Sequence, residues 1–213
     1  MPENAAMATA HSSPAAPTAP VLGLRERKKI QTRRAIRGAA YRLFERQGYD
    51  ATPVDQIAEA ADVSTSTVFR YFPTKEDIVL TDEYDAVMEA AIRSRPADEH
   101  PVESIRHGVT GAVRQLVERD IAELRQRTRL VHEVPALRGR TAEGMAESAR
   151  VLCAVLAGRT GRSPGDLELR VVVAAVLGAM QEATMHWVEQ GQTDDLPALI
   201  DRALGVLVRG LTL

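Results

Sequence analysis

The sequence contains one cysteine and no long apolar run, and both absences narrow the possible functions. The single Cys153 excludes an internal disulfide and a zinc site built from cysteines. A reducing cytoplasm is therefore the expected compartment. The first residues lack the basic and apolar regions of a signal peptide, so none is expected. The sequence contains no unbroken run of about 18 apolar residues, so no membrane span is expected.

Signals for β-structure and for catalysis are absent as well. No alternating β-branched run or hairpin dipeptide predicts a strand. The sequence has no P-loop, no glycine-rich nucleotide motif and no serine–histidine–aspartate signature, so neither an enzyme nor a cofactor is expected. Glu182, His186 and Glu189 share one helix face, where exposed polar residues are expected rather than a metal site. Cys153 lies among apolar residues, which favours a buried, unreactive thiol.

Positive charge is concentrated locally in a chain whose net charge is −2. Residues 21–80 contain 11 Arg and Lys against 8 Asp and Glu, whereas residues 81–213 contain 16 against 20. Nine of the basic residues lie within Arg25–Arg46. This segment is suited to phosphate contacts, and a solvated basic helix face is the alternative.

Helical periodicity begins at Arg25 and continues to the C-terminus. A first amphipathic helix, ended by Gly48, is indicated by the apolar residues Ile36, Ala39, Ala40, Leu43 and Phe44. The run from Thr52 to Asp55 predicts a second helix, with Thr52 as N-cap and Asp55 at its third position. Ser64 is expected to cap a short third helix. A capping box at Thr74 is expected to open a longer fourth helix that ends at Pro96.

Further apolar stripes predict helices through the rest of the chain. They cover residues 105–117, 121–131, 137–159, 166–189 and 196–211. Ser163, followed by proline and an acidic residue, is expected to cap the helix that extends to Glu189. The fold class expected is all-α, with an N-terminal three-helix helix-turn-helix domain and a larger C-terminal helical ligand-binding and dimerisation domain.

Three short helices within residues 25–72, the last two joined by a tight connection, have the spacing of a helix-turn-helix. This region resembles the TetR family of bacterial transcriptional regulators. The resemblance rests on the segments AAYRLF at 39–44, GYDAT at 48–52, VDQIA at 54–58, VS at 63–64 and VFRYFPTKE at 68–76. It is specific over residues 25–80 and one of architecture beyond them.

The resemblance implies three domains or segments. Residues 1–23, which are rich in Ala, Pro, Ser and Thr and contain no Arg or Lys, are expected to form a disordered arm. Residues 24–80 would bind double-stranded DNA, and residues 81–213 would bind a small-molecule effector and dimerise. The protein would then be a repressor that leaves a palindromic operator when the effector binds.

Residue by residue, the resemblance implies DNA contacts. Thr65, Thr67 and Arg70 would read or approach bases, and the small Ser64 and Ser66 would permit close approach. Phosphate contacts are expected from Thr52, Tyr71, Lys75, Arg25, Arg27, Lys28, Lys29 and Arg33. Two positions depart from the family. Phe69 stands where the family often has tyrosine, so an apolar contact to thymine or sugar is expected. Asp55 stands where the namesake repressor reads a base with arginine.

The resemblance also implies a homodimer through the last two helices. The expected interface residues are Val173, Leu177, Leu199, Ala203, Leu204 and Leu207, although filling of the monomer core is the alternative. Such a dimer would hold its recognition helices roughly 34–36 Å apart. A hydrophobic effector would be lined by Met88, Ile92, Val109, Val113, Met145, Met180, Met185 and Trp187, for which ordinary core packing is the alternative. The fourth helix would transmit effector binding.

Two other classes of function remain open from the residues alone. One is a helical ligand- or protein-binding module whose helix-turn-helix is only structural. The other is an enzyme that uses the central cavity. The hydroxyl-rich segment Thr65–Tyr71 beside a basic first helix argues against both, because a purely structural motif would need neither Arg70 nor the clustered charge.

Overall fold

A computed structural model describes residues 23–81 and 84–212, and these residues form helices and connecting turns without a strand. The predicted arm, apart from Gly23, lies outside the described residues. The helices are α1 (Leu24–Gln47), α2 (Val54–Ala60), α3 (Thr65–Tyr71), α4 (Lys75–Leu80), α5 (Tyr84–Arg93), α6 (Pro101–Glu133), α7 (Pro135–Thr160), α8 (Leu167–Glu189) and α9 (Leu196–Val208). The predicted all-α class is confirmed.

The N-terminal helices form where local sequence signals predicted them. The predicted apolar stripe of α1 is buried, from Ile36 to Phe44, and Gly48 ends the helix with a positive φ of 86° that suits glycine. Ser64 caps α3 by accepting a hydrogen bond from the backbone N–H of Thr67. Thr74 and Asp77 form the reciprocal capping box at the start of α4.

Three predicted helix boundaries differ from the structure. The fourth helix is short, because α4 ends at Leu80 and α5 begins separately at Tyr84. The cap of α8 is Asp166 rather than Ser163, and its carboxylate accepts a hydrogen bond from the N–H of Glu168. The stripes at 105–117 and 121–131 belong to one helix, α6. Its backbone leaves helical geometry at Asp120 (φ −163°, ψ 80°), between the two predicted stripes.

Helices α5 to α9 pack into a bundle around the buried indole of Trp187. The indole N–H donates to the carbonyl of Asp194 at 2.8 Å, so its one polar group is satisfied within the core. Gly108 lets α5 approach α6 closely, since a Cβ there would lie 2.8 Å from the Ile92 side chain. A larger residue at this position would push the two helices apart.

The bundle and the N-terminal helices share contacts at the turn between α6 and α7. Leu130 and Leu137, on either side of that turn, are buried in the N-terminal core beside α1 and α4. Arg37 of α1 donates to the carboxylate of Glu123 at 3.1 Å and to the carbonyl of Ile78 at 3.1 Å. Helices α6 and α7 are therefore packed directly against the N-terminal domain. The domain boundary near residue 80 stays a prediction.

Candidate functional site

Helix α3 is held by its apolar side and presents a polar side outward. Val68 and Phe72 are 1% and 0% exposed and anchor the helix in the N-terminal core. The outer face carries the exposed residues Ser66, Phe69 and Arg70 and the half-buried residues Thr65, Thr67 and Tyr71. The structure therefore brings the predicted DNA-reading residues together on one surface, which we call the α3 face. Their contacts with DNA stay a prediction.

The side chains of the α3 face are partly ordered by one another. The Arg70 guanidinium lies 3.5 Å from the Thr67 hydroxyl and 5.4 Å from the centroid of the Tyr71 ring. Phe69 is 46% exposed, which is unusual for a large apolar side chain without a contact to make. This arrangement places one cation and one apolar ring side by side on a solvent-facing helix.

Asp55 positions the recognition surface instead of capping α2. Its Oδ1 atom accepts a hydrogen bond from the Thr65 hydroxyl at 3.0 Å, which ties the first turn of α2 to the first turn of α3. The predicted role of Asp55 at the third helical position, in partnership with a Thr52 cap, is therefore wrong. Its carboxylate fixes Thr65, a residue predicted to read bases.

Burial contradicts the predicted phosphate contact of Thr52, and hydrogen bonding gives Lys75 a supporting role beside its predicted phosphate contact. Thr52 is 0% exposed, its hydroxyl donates to the carbonyl of Gly48 at 2.7 Å, and Pro53 is the N-cap of α2. Lys75 turns its ammonium inward and donates to the carbonyls of Tyr49 at 2.9 Å and Thr52 at 3.1 Å. Both residues therefore hold the loop between α1 and α2 against the start of α4.

A polar cluster that the sequence did not reveal joins the N-terminal domain to α7. Arg140 donates to the Thr74 hydroxyl at 2.6 Å and pairs with Asp77 at 3.0 Å, so it contacts both residues of the α4 capping box. The Tyr49 hydroxyl donates to the carboxylate of Glu76 at 3.1 Å. Burial is the main cause that raises the pKa of Tyr49, and the negative charge of Glu76 raises it further. Arg140 and Asp77 are 63 residues apart, so no local pattern could have predicted the contact.

The basic segment at the start of α1 is exposed, and one arginine further along the helix contacts the end of α3. Arg27, Lys28 and Lys29 are exposed. The guanidinium of Arg33 stacks 5.2 Å from the centroid of Phe72, the residue that ends α3. This contact joins the third turn of α1 to the C-terminal end of α3, and the phosphate contacts of the cations stay a prediction.

The clefts found among the described residues are not lined by the predicted effector residues. Ile92, Val109, Val113 and Trp187 are closely packed within the bundle, and Met88 and Met180 pack against that core. Met145 and Met185 are only half-buried. The physical reason is that methionine and tryptophan fill irregular space in a core as readily as they line a pocket. Core packing thus accounts for several of these residues, and the effector pocket at these positions stays a prediction.

A cleft of about 650 Å³ lies instead between α7 and α8. Its walls are mainly apolar, and two arginines, Arg150 and Arg170, stand among them. Its remaining lining residues are Ala146, Ala149, Cys153, Pro164, Leu167, Val171 and Ala174. Burial raises the pKa of the Cys153 thiol. This favours a neutral, unreactive thiol where Cys153 lines the cleft.

Three of the predicted dimer residues are part of the monomer core. Val173, Leu199 and Leu204 are 1%, 8% and 1% exposed. The other three, Leu177, Ala203 and Leu207, are half-buried against the same core. Because α8 is apolar on nearly every side, hydrophobicity alone could not separate its core side from its outer side.

The outer side of α8 carries an exposed apolar stripe that the sequence analysis missed. It consists of Leu167, Val171, Ala174 and Gly178, of which Leu167 and Val171 are 69% and 58% exposed. Steps of four, three and four residues keep these positions on one helix face, which is a signal that the sequence does contain. We call this set the α8 stripe.

Helix α8 also meets the length and composition of a membrane-spanning helix, alone among the described helices. Its most apolar window has a mean hydropathy of 1.3, and 22% of that window is buried. The helix still contains no unbroken run of 18 apolar residues, and the absence of a membrane span stays a prediction. The inner side of the helix, from Leu169 to Trp187, is buried in the bundle. Across the described residues, no group of three or more potential ligands could hold a metal ion.

Two family models match the chain in adjacent regions. Residues 36–81 match the model of bacterial regulatory proteins of the tetR family. Residues 99–212, more than half of the chain, match the model of the MftR C-terminal domain. The two matches correspond to the helices α1–α4 and to the bundle that follows.

Individual relatives extend over both regions. The transcriptional regulator TcmR of Streptomyces glaucescens is 34% identical over 180 residues, which span 81% of this chain and 80% of TcmR. A putative mycofactocin biosynthesis regulator, MftR of Mycobacterium tuberculosis, is 25% identical over 87% of this chain and 93% of its own. The structure is similar to that of Bacillus subtilis FadR in complex with stearoyl-CoA, with a TM-score of 0.60, 26% identity, and coverage of 84% of this chain and 99% of FadR.

Proposed function

This chain belongs to the TetR family of bacterial transcriptional regulators, and we propose that it acts as a homodimeric repressor that an acyl-chain effector releases from operator DNA. We expect it to act in the cytoplasm, where the bacterial chromosome lies, and as a regulator rather than as an enzyme. The observation that carries this function is the α3 face, a solvent-exposed surface of hydroxyls, an arginine and a phenylalanine.

The α3 face has the chemistry of a helix that enters a major groove. Arg70 can donate two parallel hydrogen bonds to guanine, and the exposed ring of Phe69 can contact a thymine methyl group. The nearby cations of α1 supply phosphate contacts that fix the orientation without reading sequence. Thr65, held by Asp55 at 3.0 Å, enters the groove in a preset rotamer.

The α8 stripe supports the homodimer. An exposed apolar face of this length is costly in water, and a second copy of the same face would cover it by two-fold symmetry. The small residues Ala174 and Gly178 would let the two helices approach closely. A dimer of this kind favours an operator with two half-sites related by a palindrome.

The cleft between α7 and α8 is the site that we propose for the effector; because Leu167, Val171 and Ala174 of the α8 stripe form one of its walls, the effector would lie against the dimer interface. Its volume of about 650 Å³ is in the range of small-molecule pockets. Apolar walls suit an acyl chain, and Arg150 and Arg170 suit an anionic head group. The structurally similar FadR was crystallised with stearoyl-CoA. Since α7 carries both cleft residues and Arg140, a shift of this helix would reach α4 and then α3.

The effector proposal is tested with operator DNA selected from genomic fragments of the source bacterium. Fluorescence anisotropy would follow release of this DNA during titration with stearoyl-CoA, with free CoA as the control ligand. We expect release by stearoyl-CoA at concentrations where CoA alone has no effect. DNA that stays bound throughout would exclude this class of effector.

The site is tested by narrowing the cleft from the α7 side. Ala146→Phe fills space in the cleft, whereas Ala154→Phe adds the same bulk at an exposed position of α7 outside the cleft. We expect the first variant to bind operator and resist release, and the second to behave as wild type. Equal sensitivity of both variants to stearoyl-CoA would place the effector elsewhere.

A further inference from the structure

We propose that a second cleft, between the N-terminal half of α6 and α9, binds a phosphate group of a small molecule. This cleft has a volume of about 410 Å³ and shares no residue with the cleft between α7 and α8. We call it the α6–α9 cleft. Its lining residues are Arg95, His107, Thr110, Gly111, Arg114, Ala198 and Asp201.

One face of α6 forms the floor of the α6–α9 cleft. His107, Thr110, Gly111 and Arg114 follow one another at steps of three, one and three residues, so they lie side by side along the helix. Gly111 leaves open space, because a Cβ added there would meet no atom within 4 Å. The floor therefore has a gap of the size of a small group, with a hydroxyl and a cation beside it.

Thr110 supplies a polar group that the fold itself does not use. The residue is 8% exposed, and its hydroxyl oxygen is buried without a hydrogen-bond partner among the described residues. Most threonines in this structure's helices donate to a carbonyl one turn earlier, as Thr128 does to Leu124 at 2.9 Å. Buried hydroxyls are nearly always satisfied in proteins, so an unpartnered one beside a cleft indicates a missing ligand.

Arg114 supplies a cation that is similarly uncommitted. Its side chain is exposed and makes no hydrogen bond or ion pair with the described residues. The cleft's other arginine differs, since Arg95 donates to both carboxylate oxygens of Glu99 at 2.8 and 2.5 Å. Arg114 is therefore the guanidinium that remains available to an incoming anion.

The acidic residue of the cleft, Asp201 of α9, is paired with an arginine of α6. Asp201 receives two hydrogen bonds from Arg106, at 2.9 and 2.8 Å, and these hold the pKa of its carboxyl below the usual range. The charges of His107 and Arg114 lower the same pKa further. The repulsion that Asp201 would exert on an anion is thus largely offset, and the excess charge of the cleft is positive.

Phosphate fits this set of donors better than a carboxylate does. The Arg114 guanidinium and the Thr110 hydroxyl are carried on the helix face that includes Gly111, and the tetrahedral oxygens of phosphate can accept from both, whereas the Nδ1 atom of His107 lies 2.7 Å from the Glu99 carboxylate. Arg95 and Arg114 exclude a purely acidic environment of the kind that binds cations. The ligand class is a small phosphorylated molecule, acting separately from the effector of the larger cleft.

The test titrates the full-length protein with inorganic phosphate by calorimetry at constant ionic strength, with chloride as the balancing anion. We expect saturable binding, weakened about tenfold by Arg114→Gln and about threefold by Thr110→Val. Thr110→Val should leave the melting temperature unchanged or raise it, because it replaces an unsatisfied hydroxyl by a methyl group. A loss of phosphate binding in this variant therefore would not report unfolding.

The matched control is Arg119→Gln, which removes the same charge from an exposed position on the same helix outside the cleft. It should bind phosphate as wild type does. Non-saturable binding, or an equal loss in Arg119→Gln, would reduce the effect to general charge attraction and overturn the proposal. Acetate binding as tightly as phosphate would overturn the assignment to phosphate.

Discussion

Lys75 offers a direct choice between two roles, a contact to DNA phosphate and a support within the fold. Its ammonium donates to the carbonyls of Tyr49 and Thr52 and lies 4.2 Å from the centroid of the Tyr49 ring. Lys75→Met keeps the length of the side chain and removes the charge. The variant leaves two carbonyls without their donor beside the loop between α1 and α2.

The expected cost follows from these contacts. A hydrogen bond from a charged donor contributes roughly 1.5–3 kcal/mol to stability, and a cation over a ring at a partly exposed site adds about 0.5–1 kcal/mol. Because Lys75 is only half-buried, we expect Lys75→Met to lower the free energy of unfolding by about 2–4 kcal/mol. Urea denaturation followed by circular dichroism measures this change.

The salt dependence of DNA binding separates the two roles. Each phosphate contact contributes roughly 0.9 to the slope of log K against log salt. Lys75→Met should leave this slope unchanged when measured at a temperature where the variant is folded. Lys28→Met, at an exposed position of α1, should lower the slope by about 0.9 without loss of stability. A lower slope with unchanged stability for Lys75→Met would refute the supporting role.

Three further outcomes are expected. Ser64→Ala should lower the free energy of unfolding by about 1 kcal/mol, measured by urea denaturation, because α3 loses its N-cap; no loss would mean that the cap is dispensable. Val171→Arg should weaken dimerisation at least about tenfold in sedimentation experiments, since like charges would meet across the two-fold axis, whereas Ala154→Arg should not; an intact dimer would move the interface. Asp201→Asn should lower the free energy of unfolding by roughly 0.5–1 kcal/mol at pH 7. This difference from wild type should vanish as the pH falls through the depressed pKa of Asp201, because both side chains are then neutral. A difference in the free energy of unfolding that persists at low pH would contradict the ion pair with Arg106.

Features set by neighbouring residues could be predicted from the sequence. The stripe of α1, the Ser64 cap and the Thr74 capping box depend on residues within a few positions of one another. These elements were predicted correctly because their causes are local.

Features set by tertiary packing could not be predicted in the same way. Thr52 has the sequence context of an N-cap, but the loop between α1 and α2 buries it, and the hydroxyl donates to Gly48 instead. The hydrogen bond from Arg140 to Thr74, at the start of α4, joins residues far apart in sequence. On α8, Val173 and Val171 look alike in composition, and only the packed bundle shows that one is buried and the other is exposed.

The α3 face is the centre of the functional account, and Arg70→Ala tests it most directly. Binding to the selected operator and to an unrelated duplex of equal length would be compared by fluorescence anisotropy at one salt concentration. Loss of a bidentate contact to guanine costs roughly 1–3 kcal/mol. We therefore expect operator affinity to fall about tenfold or more, with little change for unrelated DNA. Equal affinity of Arg70→Ala and wild type for the operator would contradict base reading by the α3 face.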